Sequence, residues 1–203
     1  MLIIKNKMSK SNTQSRRVEI IEIAAKLFKI KGFTATTMRD IAEQVGMEAA
    51  SMYNHIKSKD EILQAICFKI SNEYISQLNT IENQIKSPVE KIKELIRLHV
   101  RIIITDIDSI SVANNEWKHL SEDALTAFKD ARRDYEQRFA KIIEAGIAAG
   151  ELQPINVSVA LFTILSAVRW VELWYKNDRD ISPEILEENI ISLLMNGLQK
   201  HVS

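Results

Sequence analysis

Five glycines and three prolines in 203 residues leave this chain few places to turn. Apolar residues recur three and four positions apart, and no segment sustains a period of two. That pattern predicts an all-α fold. Ile20, Ile23/Ala24, Leu27/Phe28 and Ile30 follow the helical spacing, and Gly32 stands where a helix ends in the left-handed conformation. Ser58-Lys-Asp-Glu61 is a capping box, Ser87-Pro-Val-Glu90 repeats it with Pro88 at the first helical position, and Ser182-Pro183 opens a last helix. These signals predict nine helices and no sheet, near residues 16–31, 37–45, 48–54, 59–80, 88–106, 110–119, 122–149, 156–176 and 183–201. Residues 1–12 lack periodicity and are expected to form a flexible arm, in which Met8 offers a second possible start. No internal repeat is apparent.

The length suits one medium domain or two small ones. Lys+Arg and Asp+Glu both total 27, yet residues 1–60 hold eleven basic against six acidic side chains, a net of +5, which leaves −5 for the remainder. A basic N-terminal quarter on an acidic body points to a local anion-binding module. The single cysteine, Cys67, excludes an intramolecular disulfide and fits a reducing cytoplasm. The apolar start is too short for a secretory signal, and Val157–Val168 falls short of the ~20 residues that span a bilayer. The expectation is a cytoplasmic protein with no membrane partner.

Thr36–Ile56 has the pattern of a helix-turn-helix. Ile41, Ala42 and Val45 form the inner face of its first helix, Gly46 permits a tight turn, Met47 is expected to bury, and Met52 and Ile56 anchor the second helix. Glu48, Ala49, Ala50, Ser51 and Tyr53 are left outward or along the rim. Small side chains there let the helix end sink into a major groove about 12 Å wide, where an alanine methyl can meet a thymine methyl. Thr36 and Thr37 at one helix start, and Tyr53, Asn54, His55, Lys57 and Lys59 past the other end, are donors suited to phosphates. The plainer alternative is a three-helix subdomain whose alanines only reflect helix propensity.

The run GFTATTMRDIAEQVGMEAASMYNHIKSKDEIL (32–63) resembles the N-terminal signature of TetR-type transcriptional regulators. It has the Gly-Phe-x-x-Thr-Thr-x-x-x-Ile-Ala opening, the Val-Gly turn, the Tyr-x-His end of the recognition helix and a Lys-x-Lys-(Asp/Glu)-Glu-Leu-type start to the next helix. The resemblance implies a three-helix DNA-binding head over 13–57, a helical-bundle body over 58–203 for ligand binding and dimerisation, and a homodimeric repressor on a double-stranded DNA operator. Many relatives carry Ser, a basic residue and Gly where Glu48, Ala49 and Ala50 stand here. Readout is therefore expected to lean on methyl contacts and on Arg39. Glu48 either accepts from a cytosine amine or caps the helix.

In the body, the stripe Leu125, Phe128, Arg132, Tyr135, Phe139, Ile142 places a guanidinium where an apolar residue belongs. Arg132 either snorkels toward a carboxylate such as Glu136 or binds the acidic end of a ligand. His99, on the stripe Ile92, Leu95, Ile96, His99, Ile103, is either a satisfied core histidine or a ligand contact. Residues 157–175 are apolar nearly all round apart from a thin line at Ser158, Thr163, Ser166, Arg169 and Glu172. Such a helix is buried on two sides, either within its own bundle and against a partner subunit or as a fully internal helix of a monomer. Leu186, Ile190, Leu194, Gly197 and Leu198 of the last helix complete the expected interface.

Segments 167–199 and 135–152 are similar to the C-terminal half of acyl-CoA-responsive TetR members, through Trp170-x-x-x-Trp174-Tyr175 followed by Ser182-Pro183-Glu184. That similarity implies an acyl-CoA or related amphipathic acid as effector. An apolar slot with Arg97, Arg101, Arg132 and Arg133 at its mouth would suit it. Trp117, Phe128, Trp170 and Trp174 are the candidate lining, beside His99, Arg132 and Tyr135.

Catalytic, cofactor and metal readings find no support. Glu116-x-x-His119 is half of a di-iron signature with no second pair, and Asp106-x-Asp108 lacks the rest of a calcium loop. There is no glycine-rich phosphate loop, and four scattered histidines make no zinc or nucleophile site. The remaining alternative is a helical small-molecule-binding protein that does not read DNA.

Overall fold

A computed structural model of the protein describes residues 2–175 and 181–198, with side chains from Gln14 onward. Helices α1 (Leu2–Lys31), α2 (Met38–Val45), α3 (Ala49–Met52) and α4 (Lys59–Glu82) come first. They are followed by α5 (Pro88–Thr105), α6 (Ile107–Asn115), a 3₁₀ turn (Trp117–His119) and α7 (Glu122–Ala148). Last come α8 (Val157–Arg169), α9 (Val171–Trp174) and α10 (Pro183–Asn196), and no strand occurs among the described residues.

The fold is all-α as expected, with three local differences. Residues 2–12, expected as an arm, continue α1, since extending a formed helix costs far less than nucleating one. The expected helix 110–119 is α6 followed by the 3₁₀ turn, and the expected helix 156–176 breaks at Trp170 into α8 and the single turn α9. Residues 176 and 199–201 of the expected helices lie outside the described residues.

The expected Ser caps form, and α2 carries a cap beyond those expected. Thr37 accepts from the Asp40 amide and Asp40 accepts in return from the Thr37 amide, a full capping box. Ser58, Ser87 and Ser182 each accept from the amide three residues on, at 3.1, 3.3 and 3.4 Å. Glu61 returns its bond to the Lys57 amide at 2.8 Å, one residue before the expected donor.

The chain divides into two compact units. One holds the residues up to Ile70 with Asp108–Phe128, the other Ser71–Ile107 with the residues from Lys129 on. This division runs through the middle of α4, between Ile70 and Ser71, whereas the boundary expected from the sequence lies at Lys57–Ser58, just before α4 begins. That unit closes over Ile20, Ala24, Phe28, Ile41, Met52, Ile56, Ile62 and Leu63, all fully or almost fully buried. Each such large side chain contributes about 1.5–3 kcal/mol on burial. In the second unit α5 packs on α8, α9 and α10 and buries Ile92, Leu95, Ile96 and Val100. Arg138 of α7 ties back to Glu82 and to Asn79 Oδ1 of α4.

Gly46 sets the angle between α2 and α3. It adopts φ 72°, ψ 37°, its amide donates to Glu43 and the Met47 amide donates to Ala42 at 2.9 Å. This double bond pattern is a Schellman motif. No atom would obstruct a methyl group at Gly46, so the cost of substitution is purely that of the left-handed backbone. Gly46→Ala is therefore expected to lower unfolding free energy by about 1–2 kcal/mol in urea titration.

Candidate nucleic-acid interface

The face expected to meet DNA is built on a single short turn of helix. α3 spans only Ala49–Met52, and amides 54–56 continue it as turns onto Ser51 and Met52. Met52 and Ile56, four residues apart, are buried. That places Glu48, Ala50, Ser51, Tyr53 and Asn54 at the surface, with Ala49 half-buried and Tyr53 53 % exposed. Met47, expected to bury, is only half-buried. Arg39 and Lys57 are exposed at the flanks.

Several expected donors are engaged within the fold. Thr36 is fully buried and its hydroxyl donates to the Gly32 carbonyl at 2.8 Å, so it closes the C-terminus of α1 and offers nothing to a phosphate. Thr37 is exposed, but its hydroxyl donates to Asp40 Oδ2 at 2.7 Å and accepts from the Asp40 amide. These Thr37 bonds hold the Asp40 carboxyl below the usual carboxylate range. Lys59 directs its ammonium onto backbone carbonyls of Phe33, Thr34 and Thr36. Glu48 occupies the N-cap position of α3 without a side-chain capping bond, so the capping alternative is not realised. The half-buried His55 keeps Nδ1 away from solvent with no protein partner, while its carbonyl accepts from Arg17. Arg17, absent from the sequence-based set, pairs with Glu61 at 2.8 Å and so braces α1 against the head of α4. Of the residues expected to contact DNA, Arg39, Glu48, Ala50, Ser51, Tyr53, Asn54 and Lys57 stay at the surface, with Ala49 and His55 half-buried beside them.

Comparison with known proteins bears on what this face does. Residues 20–66 match the profile of bacterial regulatory proteins of the tetR family, and residues 86–198 match a tetracyclin repressor-like C-terminal domain. The chain belongs to the TetR family. It is a DNA-binding, helix-turn-helix transcriptional regulator, and the reading as a ligand-binding protein without DNA function falls away. Among its relatives is the HTH-type transcriptional repressor KstR2 of Mycolicibacterium smegmatis, 26 % identical over 190 residues and 93 % of each chain. The structure of the ketosteroid transcriptional regulator KstR2 of Mycobacterium tuberculosis superposes with a TM-score of 0.87 at 22 % identity, over 92 % of this chain and 96 % of that one. AibR in complex with isovaleryl coenzyme A and operator DNA superposes at 0.77 and 23 % identity, over 88 % and 97 %. At these identities the two structures speak for the fold.

The expected ligand residues of this TetR-family chain divide between the units. Trp117 and Phe128 belong to the first, where Phe128 is buried, meets Phe68 edge-on and stacks with Trp117 at 6.3 Å. In the second, His99 and Tyr135 are buried and share a 2.9 Å hydrogen bond, with the Tyr74 ring 4.5 Å from the imidazole. Arg132 is about half exposed and lies 3.6 Å from Glu136, which is the snorkelling geometry. Trp170 is 62 % exposed and Trp174 also reaches the surface, because Val168, Val171 and Tyr175 take the inward positions of that turn. A slot inside the protomer would therefore not be lined by these two tryptophans.

Arg97 and Arg101 do line a cleft of about 270 Å³ between α4 and α5, with Gln77, Thr80 and Thr105. Both arginines are already paired there, Arg101 with Glu187 at 2.9 Å and Arg97 with Glu94, Glu187 and Glu188. The cleft is thus no ready-made anion site. Cys67 is buried, and burial pushes its thiol up to about 12, which leaves it unreactive. Among the described residues no His, Cys, Asp and Glu side chains group as a metal site.

Burial drives the His99 pKa down to about 3, so the folded protein holds a neutral imidazole. The unfolded chain protonates near pH 6.5. Between those values the unfolded state binds the extra proton, and stability falls as pH falls. Between pH 7.5 and 5.5, His99 is expected to remove about 1.4 kcal/mol from the unfolding free energy. Urea titrations of the wild type and His99→Gln at both pH values check this through the difference in their pH dependence.

Proposed function

We propose that the chain is a cytoplasmic homodimeric repressor, released from its operator by an acyl-CoA or a similar amphipathic acid. The observation that carries the dimer is an apolar face with no cover in the protomer. Val159, Phe162, Trp170 and Leu173 of α8–α9 are 57, 50, 62 and 63 % exposed, and Ile185 and Leu193 of α10 are 52 and 78 % exposed. A face of this kind marks an interaction surface. It favours different residues from those first expected, since Leu186 and Leu198 are buried in the protomer. Gly197 is exposed, and a Cβ there would meet only the Leu194 carbonyl of its own helix at 3.7 Å, which suits close approach of a second helix. Val157–Trp174 is apolar enough, by length and composition, to cross a bilayer. Its break at Trp170 and its charged Arg169 and Glu172 favour a protein partner instead.

A two-fold dimer would present two recognition turns to half-sites about 34 Å apart or a multiple of it. Leu193→Asp is expected to yield monomers in light scattering at micromolar concentration and to abolish operator binding. A wild-type monomer that still binds an operator specifically would remove the dimer from this reading.

The effector class is supported by the acyl-CoA-like pattern of Trp170, Trp174 and Tyr175 and by AibR, whose complex holds isovaleryl coenzyme A. Release would be a population shift: ligand favours a state of the body in which the two heads no longer match the operator. A ligand preferring that state ~100-fold supplies about 2.7 kcal/mol of coupling per site. Titration of acyl-CoAs of graded chain length, free fatty acids and bare coenzyme A against a protein–DNA complex checks this. At least one acyl-CoA is expected to weaken DNA binding tenfold or more, with bare coenzyme A inactive. Release by an unrelated apolar compound alone would discard the effector class and leave the regulator intact.

A further inference from the structure

Lys59 opens α4, and its ammonium is consumed inside the first unit. Nζ donates to the carbonyls of Phe33 at 2.7 Å, Thr36 at 2.8 Å and Thr34 at 3.3 Å. An ammonium has three donors, so none remains for a phosphate. The same nitrogen stands 4.3 Å from the centre of the Phe33 ring, a cation–π distance. The Phe33 ring also stacks on the His119 imidazole at 5.5 Å and 23°, and His119 lies 3.4 Å from Glu116. A separate bridge, Lys29 to Asp108 at 2.8 Å, joins α1 to the segment that leads to that 3₁₀ turn.

Three segments distant in sequence therefore meet on one residue: the head of α4, the α1–α2 turn and the 117–119 turn. The α1–α2 turn in its turn places Thr37, which caps α2, and α2 carries the recognition turn through Gly46. We propose that Lys59 is a positioning residue for DNA binding. It fastens the α1–α2 turn to α4 and makes no phosphate contact. A displacement of α4 or of the His119 turn would then reach α2 through Phe33. This inference rests on DNA binding by the Ala49–Ser51 face and adds to it how that face is held in place.

A phosphate contact and a positioning clamp leave different signatures. Each lysine–phosphate contact contributes about 0.9 to the slope of log K against log salt, and its loss weakens all sequences alike. The experiment compares the wild type, Lys57→Met, Lys59→Met and His119→Leu on two duplexes, one selected by the wild type from a random pool and one scrambled. Affinities are measured across a salt series, and titration at saturating DNA gives the binding-competent fraction. Misfolding then appears as lost stoichiometry and not as a changed affinity ratio.

Lys57→Met, which removes an exposed cation, is expected to lower the slope by about 0.9 per subunit. Lys59→Met is expected to keep the wild-type slope while the selected-to-scrambled ratio falls at least about fivefold. His119→Leu leaves the Lys59 bonds in place and is expected to reduce the ratio in the same direction. It also serves as the test should Lys59→Met fold too poorly to measure. A slope lowered by about 0.9 per subunit in Lys59→Met, with the ratio unchanged, would overturn the proposal, as would no change in either quantity. Failure of the wild type to select any duplex would instead defeat the assignment of the DNA face itself.

Discussion

Two buried side chains, Met52 and Ile56, determine what the first unit can present to a partner. They lie four residues apart on a stretch too short to be stable as an isolated helix, so tertiary packing alone holds it in place. Once both are inside, Glu48, Ala50, Ser51, Tyr53 and Asn54 face solvent, with Ala49 half-buried at the rim. The alanines at 49 and 50 then present little more than methyl groups, and the Gly46 turn gives them their angle to α2. Burying two apolar side chains thus creates a bare surface as its geometric complement.

The polar residues around that surface divide into those facing outward and those consumed by the scaffold. Arg39, Tyr53, Asn54 and Lys57 remain outward, whereas Thr36, Thr37, Lys59 and Glu61 satisfy backbone or carboxylate groups. The consumed set makes the outward set usable. Helix starts and turns carry unpaired amides and carbonyls, and each must be satisfied before a short helix can hold still. A basic count of +5 over residues 1–60 therefore overstates the charge available to phosphates, since Arg17, Lys29 and Lys59 all have internal partners.

The helical plan was legible because its signals are local. Gly46, the Ser caps and the three-four apolar spacing each act within a few residues, and Ile41, Ala42, Val45, Met52 and Ile56 are buried as the spacing implied. What escaped is set by residues far away in sequence. Lys59 looks like a phosphate donor until the carbonyls of Phe33 and Thr36, more than twenty residues earlier, are brought to it. His99 and Tyr135 lie 36 residues apart, and only the fold pairs them. Periodicity placed Trp170 on an apolar helix but did not foresee the break that turns it outward, whereas the snorkelling alternative for Arg132, toward Glu136, was legible from their spacing of four.

The central claim is that the Ala49–Ala50 turn enters the major groove and reads it by methyl contact. Deoxyuridine scanning tests this most directly: each thymine of a selected operator is replaced in turn, which removes one major-groove methyl and leaves the pairing intact. The account predicts weakened binding at one or two symmetry-related thymines in each half-site, and recovery of equal affinity for DNA with and without those methyls in an Ala50→Gly, Ala49→Gly double variant. Equal affinity for every substituted duplex in the wild type would contradict it, and would mean that these alanines face the groove without reading it.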